Sequence, residues 1–385
     1  MEFVTRPHAR NLVRFAADKP RVVVLSADLT ASCEADDFRD THPDRFFSMG
    51  MAEQNMVSFA GGMAREGFLP HIHTFSVFIC RRAFDQLAMS VAYPGLPVRF
   101  CGFLPGITTP GGVTHQATDD LALMRALPNM TVLECGDATD VESVLDAAHA
   151  IPGPVYIRCL RGQVPRLFPS TEPLRLGQAR VLQRGTPWTD TSRSQGGAGE
   201  ADVRSSDEPD RRGTPWTDTS RSQGGAPEAA GEERHPDIAL LTSGICTEEG
   251  IRASMALRKR GIRIDHLHVS TLKPFTDDRV DAALTAAAKG IVVLENHSVI
   301  GGLGSAVAER MAELGSGRRL VRLGLQDVYA HGASKGYLMR KYGLDAQAAV
   351  LAVEGLIGQR LDISLEELTS MDPAPAGPPV KAEDL

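Results

Sequence analysis

The sequence predicts two open, doubly wound α/β domains joined by an insert. Three observations carry the prediction. Short runs rich in Val, Ile and Leu alternate with segments of helical period over residues 5–167. The same alternation resumes at Asp237 and continues to about Leu361. Between the two stretches the composition shifts to Gly, Ser, Thr, Asp and Arg, and one segment occurs twice almost unchanged. Strand–helix alternation of this kind builds a mostly parallel sheet with helices on its faces.

In the first unit, residues 21–27, 97–103, 131–135 and 155–160 are short, mostly apolar runs that read as buried strands. Helical period marks residues 10–17, 52–66, 81–92, 118–127 and 140–150. The last has Asp137 and Asp140 as cap candidates and sets Val141, Val144, Leu145 and Ala148 on one stripe. In the second unit the predicted strands are 238–242, 264–268, 291–295 and 320–323. Its predicted helices are 247–260, 278–289, 303–314 and 345–356. The expected domains are 1–168 and 237–361, with a linker over 169–236 and a flexible Pro/Ala-rich tail over 362–385.

Inside the linker, residues 184–200 read RGTPWTDTSRSQGGAGE and residues 212–228 read RGTPWTDTSRSQGGAPE. The copies differ only where Gly199 faces Pro227. Neither copy has an apolar face with which to stack, so a duplicated, disordered insertion is expected rather than a repeat domain. Both tryptophans, Trp188 and Trp216, lie in these copies.

Composition excludes several classes. A formal net charge of −7 leaves no basic footprint for nucleic acid. No apolar run approaches the roughly 18 residues of a membrane span. The six cysteines are scattered singly, without C-x-x-C or zinc spacing, and the first residues lack the apolar core of a secretory signal. A cytoplasmic protein with structural thiols and no metal ligands of its own is expected.

The densest chemistry lies in residues 47–85. Glu53 opens a mostly apolar helix with Met56, Phe59, Ala60 and Met63 on one side and Gly61–Gly62 for close packing. A carboxylate there also suits the helix dipole. The helix leads to a strand end rich in histidine and aromatics: His71, His73, Phe75 and Phe78. Arg81 and Arg158 read as ordinary surface or cleft charges. His297 and His331 read as polar surface or interface residues.

Residues 47–56 resemble the GxxExxM segment of the transketolase family of thiamine-diphosphate enzymes. Residues 74–86 and 114–130 (THQATDDLALMRALPNM) resemble further segments of that family's pyrimidine-binding domain. Residues 271–275 (TLKPF) and 295–305 (ENHSVIGGLGS) resemble its C-terminal domain. Members hold the diphosphate and a divalent cation, Mg2+ or another, through a Gly-Asp-Gly motif followed by a spaced asparagine. This sequence contains no Gly-Asp-Gly. It therefore resembles the C-terminal subunit of a split transketolase, and the resemblance implies a partner chain carrying the Gly-Asp-Gly domain. A tetramer of two such pairs is the expected assembly, since a full-length dimer of the family would divide into four chains.

The resemblance also distributes roles. Glu53 matches the glutamate that hydrogen-bonds the cofactor's pyrimidine N1' and so favours the imino tautomer that removes the reactive proton. Phe78, with Phe75, would stack on the aminopyrimidine, and Asp28 matches an acidic residue lining the cofactor cleft. Arg6, Ser32 and Arg161 match residues that hold the sugar phosphate, where an arginine fork pairs two oxygens. His115 matches the histidine that contacts reacting oxygens of the sugar. Two positions depart from the pattern: Gly111 replaces an aspartate and Leu104 a histidine, both readers of the sugar, so an unusual ketose or acyl donor is implied. The C-terminal domain supplies no catalytic residue by this pattern, and the glycines at 301, 302 and 304 read as a tight strand–helix turn rather than an anion cradle. The rivals are the beta subunit of a 2-oxoacid dehydrogenase, a 1-deoxyxylulose-5-phosphate-synthase-like enzyme and, from another class, a non-catalytic interaction protein of the same fold.

Overall fold

A computed structural model describes residues 1–185 and 235–373. The tandem copies, with Trp188 and Trp216, lie outside the described residues except for Arg184 and Gly185 at the start of the first.

The first domain is a parallel sheet flanked by helices. Its elements are β1 (Phe3–Thr5), α1 (Pro7–Ala16), β2 (Val22–Ser26), α2 (Asp36–Thr41), β3 (Phe46–Ser48), α3 (Glu53–Arg65), β4 (Leu69–Phe75) and α4 (Ser76–Arg82). They continue with α5 (Phe84–Gln86), β5 (Arg99–Phe103), α6 (Asp120–Ala126), β6 (Thr131–Glu134), α7 (Ala138–His149), β7 (Val155–Arg158) and β8 (Gln163–Pro165). Then come β9 (Arg180–Gln183), β10 (Ile238–Thr242), α8 (Cys246–Lys259), β11 (Ile264–His268), β12 (Thr271–Lys273) and α9 (Asp278–Ala286). The chain closes with β13 (Gly290–Ser298), α10 (Leu303–Glu313), β14 (Leu320–Leu325), α11 (Lys335–Lys341), α12 (Ala346–Ile357) and α13 (Leu365–Ser370).

The larger sheet runs β12-β6-β7-β5-β4-β2-β3, with every pair parallel except β12 against β6. The smaller runs β14-β13-β10-β11-β9, parallel except for β9 at its edge. Strands β2, β5 and β10 are buried at every position, which is why their sequences are mostly apolar. Asp137 caps α7 by accepting from the amide of Asp140, as its position predicts.

Four features differ from the sequence reading. Residues 180–183, assigned to the linker, form β9 and extend the second sheet. The tail is not wholly irregular: α13 is capped by Ser364 and buries Leu368 against the second domain. The helix expected over 81–92 begins at Ser76, breaks at Ala83 and ends in a π-helical turn, Leu87–Ala92, where Gly61 packs so closely on Ser90 that a Cβ would come 2.7 Å from its carbonyl oxygen. Gly62, by contrast, faces open space.

The TLKPF and ENHS segments join the domains. β12, from TLKPF, pairs with β6 of the first sheet, and Lys273 Nζ donates to the carbonyls of Arg125 (2.9 Å) and Leu127. Asn296 accepts from the Ile107 amide at 2.9 Å and donates to the Pro105 carbonyl at 3.0 Å. One apolar cluster runs unbroken from Met56, Ile72 and Phe100 to Leu241, Val293 and Leu303, so the two sheets share a core.

Candidate active site

In open parallel sheets, ligands bind beyond the carboxyl ends of the strands, where the strand order reverses. Here β2 leads outward to β3, while β4 leads the other way to β5, so the reversal lies between β2 and β4. Asp28 follows β2, Glu53 opens α3, Phe75 ends β4, Phe78 lies on α4, and His115 lies in the loop after β5.

Four of these residues form one contiguous cluster. Glu53 is 3% exposed and accepts from Arg82 Nη1 at 3.0 Å. The Arg82 guanidinium lies over the Phe78 ring, 4.0 Å from its centroid. Phe78 stacks on Phe75 at 5.7 Å with the rings 28° apart. His115 meets both rings edge-on, at 5.6 and 6.2 Å, and shares a 2.8 Å hydrogen bond between its Nδ1 and Thr114 Oγ1. Arg82 is missing from the sequence reading. Its signal was there: on a helix, residue i+4 from an aromatic lies over that ring.

Asp28 stands exposed on a left-handed backbone (φ 61°), a conformation Asp tolerates better than most residues. Its carboxylate makes no hydrogen bond to a described residue, so it is not a strand-end cap.

A second group gathers around Glu34, which the sequence reading also passed over. Its buried carboxylate accepts from the amides of Gly162 (2.6 Å) and Ala9 (3.4 Å), joining the start of α1 to the loop after β7. Burial raises its pKa, and those two amides partly oppose the rise. Ser32 lies two residues earlier, in a 3-10 turn. The Arg6 amide donates to the Gly162 carbonyl at 2.8 Å, but the Arg6 guanidinium pairs with Asp36 and, at 3.4 Å, with Asp37. Arg6 is therefore not a free cation. Arg161 is: it is exposed, and it lines a cavity of about 450 Å³ with Leu104, Thr109 and, from the second domain, Ile245 and Lys335. Neither Arg161 nor Lys335 is paired to a described residue. A Cβ on Gly111 would come 3.1 Å from His115 Cβ and Cγ, so glycine at 111 is what lets the His115 side chain lie this close to the backbone.

Arg158, read as a surface or cleft charge, is fully buried. It donates to both Asp120 oxygens (2.5 and 2.8 Å), to Glu134 at 2.7 Å and to the Asn296 carbonyl at 3.1 Å. The reason is tertiary: α6 and β6 bring two carboxylates that a lone arginine must neutralise. Burial alone would raise Asp120, yet Arg158 holds its pKa below the usual range. Arg81 pairs with Asp119 at 2.9 Å, and His297 is buried at the domain interface. At the glycine turn, the Glu295 carboxylate accepts from the amides of Leu303 (2.6 Å) and Gly304 (2.9 Å). The N-terminus of α10 is thus filled by the chain's own carboxyl group. No helix among the described residues is long and apolar enough to cross a membrane.

Comparison with known proteins bears on the whole chain. Residues 8–166 match the pyrimidine-binding domain of transketolase, and residues 228–348 match the transketolase C-terminal domain. The transketolase family protein y4mN of Sinorhizobium fredii is 33% identical over 350 residues, covering 90% of this chain and 87% of its own. The 6-deoxy-6-sulfo-D-fructose transketolase subunit SqwH of a Clostridium species is 33% identical over 344 residues, covering 89% and 90%. Among solved structures, a split-gene transketolase, described as an inactive beta4 tetramer, superimposes with a TM-score of 0.71 at 31% identity over 92% of this chain and 98% of that one. The two matched domains, in order and over most of the chain, make this protein a member of the transketolase family, of the beta-subunit type.

Proposed function

We propose that this chain is the C-terminal subunit of a two-chain, thiamine-diphosphate-dependent transketolase that moves a two-carbon ketol unit from an anionic ketose to an aldose. The observation that carries the reading is the Glu53 cluster: a buried carboxylate and a stacked aromatic pair at the strand-order reversal, with one half-exposed cation between them. These residues fit an aminopyrimidine. Glu53 would hold the hydrogen bond to its ring nitrogen, Phe78 and Phe75 would stack on its face, and Arg82, half exposed, can swing aside without being desolvated. Thiamine diphosphate, when bound, supplies the nucleophilic carbon and the electron sink for carbon–carbon cleavage. Its diphosphate and Mg2+ belong to the partner subunit carrying Gly-Asp-Gly, in an assembly of two such pairs.

His115, placed against the aromatic pair, would hold and orient reacting oxygens of the sugar. Arg161 and Lys335, unpaired among the described residues at one cavity, suit a phosphate or a sulfonate at the far end of the donor. With Gly111 and Leu104 in place of polar readers, the site discriminates less by hydroxyl contacts and more by that anion. A sulfonated donor is favoured as the second substrate by the name of the Clostridium relative.

The test is ketol transfer to ribose 5-phosphate from xylulose 5-phosphate and from 6-deoxy-6-sulfofructose, with thiamine diphosphate and Mg2+. It is run on this chain alone and after co-expression with a Gly-Asp-Gly partner. Activity confined to the pair is expected. Turnover by the chain alone would overturn the two-chain reading. A stable pair that loads cofactor but accepts neither ketose would overturn the substrate class.

A further inference from the structure

Three side chains that no sequence spacing links meet in the core of the first domain. His8 comes from α1, His73 from β4 and Cys101 from β5, and all three are fully buried. One ligand-competent atom from each lies within 4.8 Å of the other two. The two imidazoles face each other directly, Nε2 to Nε2, at 2.9 Å. We propose that His8, His73 and Cys101 form a buried site for a zinc ion that fastens α1 to the centre of the sheet.

Tautomers make the case. His73 Nδ1 lies 3.2 Å from the His71 carbonyl, an acceptor only, so that nitrogen carries the proton and Nε2 presents a lone pair. On metal-binding histidines the same second contact fixes the ring and strengthens the ligand. His8 Nδ1 has no partner among the described residues, so His8 carries its proton on Nε2 and donates it to the His73 lone pair. A metal here would take the place of the one proton that the two Nε2 atoms share across 2.9 Å. Cys101 decides which is better served, since a thiol beside two imidazole nitrogens is the donor set that borderline-soft, four-coordinate zinc selects. Thiolate and neutral imidazole are the forms a metal requires.

For the histidine pair the fit asks for little movement. Two imidazole nitrogens on tetrahedral zinc, bound at about 2.0–2.1 Å, stand about 3.3 Å apart, so the pair would open by roughly 0.4 Å. Phe103 packs on both rings, at 5.1 and 6.1 Å, and keeps the site dry. The site lies directly behind functional groups: His8 is two residues from Arg6, and His73 two residues from Phe75 on the same strand face.

The experiment uses the full chain purified without chelators. Zinc by mass spectrometry should approach about one equivalent per chain. Cobalt substituted for it should give a thiolate-to-cobalt band in the near ultraviolet. Both should vanish in Cys101→Ser and His73→Gln variants whose circular dichroism is unchanged. If either variant fails to fold, the cobalt spectrum of the unaltered chain decides: a near-ultraviolet thiolate band supports the site, and its absence overturns it. Zinc below about 0.2 equivalents, or zinc retained in both folded variants, would also overturn it and leave a proton-shared histidine pair.

Discussion

Two buried glutamates each lie at the start of a helix, and they are held in opposite ways. Glu295 lies against the first turn of α10, where two backbone amides donate to it and Gly302 and Gly304 close around it so tightly that any Cβ there would overlap the carboxylate. Glu53 opens α3 with Arg82 as its one side-chain partner among the described residues, and half of that arginine is in solvent. Fixed donors make a carboxylate part of the scaffold. A movable one leaves it able to exchange its partner for a ligand. The contrast separates the domains: the second spends its buried acid on closing a turn, while the first keeps one available at the strand-order reversal.

The sharpest way to break this comparison is Glu53→Gln. If Glu53 governs proton transfer at the cofactor, ketol transfer by the assembled pair should fall by about 10²–10⁴-fold, the range for a lost acid–base group. Assembly and thermal midpoint should stay close to those of the unaltered pair. Turnover within a factor of two would remove Glu53 from the mechanism and leave it as a dipole partner.

Arg158→Met tests the scaffold half. Asp120 and Glu134 would remain buried without their cation, a loss of about 3–5 kcal/mol for a broken buried pair. Urea unfolding should show that loss. A change below about 1 kcal/mol would mean that the carboxylates protonate or rehydrate at little cost.

How much of this was legible depended on where the deciding partner lies in the chain. The strand at 238–242 coincides with β10, because a strand covered on both faces declares itself through its own apolar residues, and the strand at 264–268 coincides with β11. The short edge strands β9 and β12 do not, since their pairing is set by β11 and β6 across the fold. Glu53, Phe78 and His115 stood out through linear motifs. Glu34, Arg82 and the burial of Arg158 did not, because each is defined by a group that only folding brings near. TLKPF and ENHS were visible as motifs, but nothing linear says that they clamp one domain to the other.

Glu295→Gln sharpens the comparison through pH. Burial raises the Glu295 pKa to about 7 from an ordinary value of 4.5, the amides opposing. Its contribution to stability is fully present below pH 4.5 and is lost as pH rises through 7. His71 and His266 act the other way: burial lowers both to about 3, so their contribution is present above 6.5 and is lost as pH falls. Removing Glu295 should therefore leave the histidine slope unopposed. Stability of the variant should rise more steeply between pH 5 and 7 than that of the parent, by a difference of about 1–3 kcal/mol over the interval. Parallel pH profiles would mean that Glu295 stays ionised in the fold.

Arg82→Ala is the smallest effect and the most discriminating. If Arg82 were a structural donor like the Leu303 and Gly304 amides, its loss would strand a buried carboxylate and cost several kcal/mol. Because half of its side chain is in water, the pair should instead contribute no more than about 1 kcal/mol, and the variant should unfold within that margin of the parent. Cofactor affinity separates the two roles further. An arginine that yields its place over Phe78 on binding costs nothing when deleted, so the dissociation constant of thiamine diphosphate in the pair should stay level or fall. A rise of tenfold or more would mean that Arg82 contacts the bound cofactor, and Glu53 would then belong with Glu295 as a carboxylate whose partner never leaves.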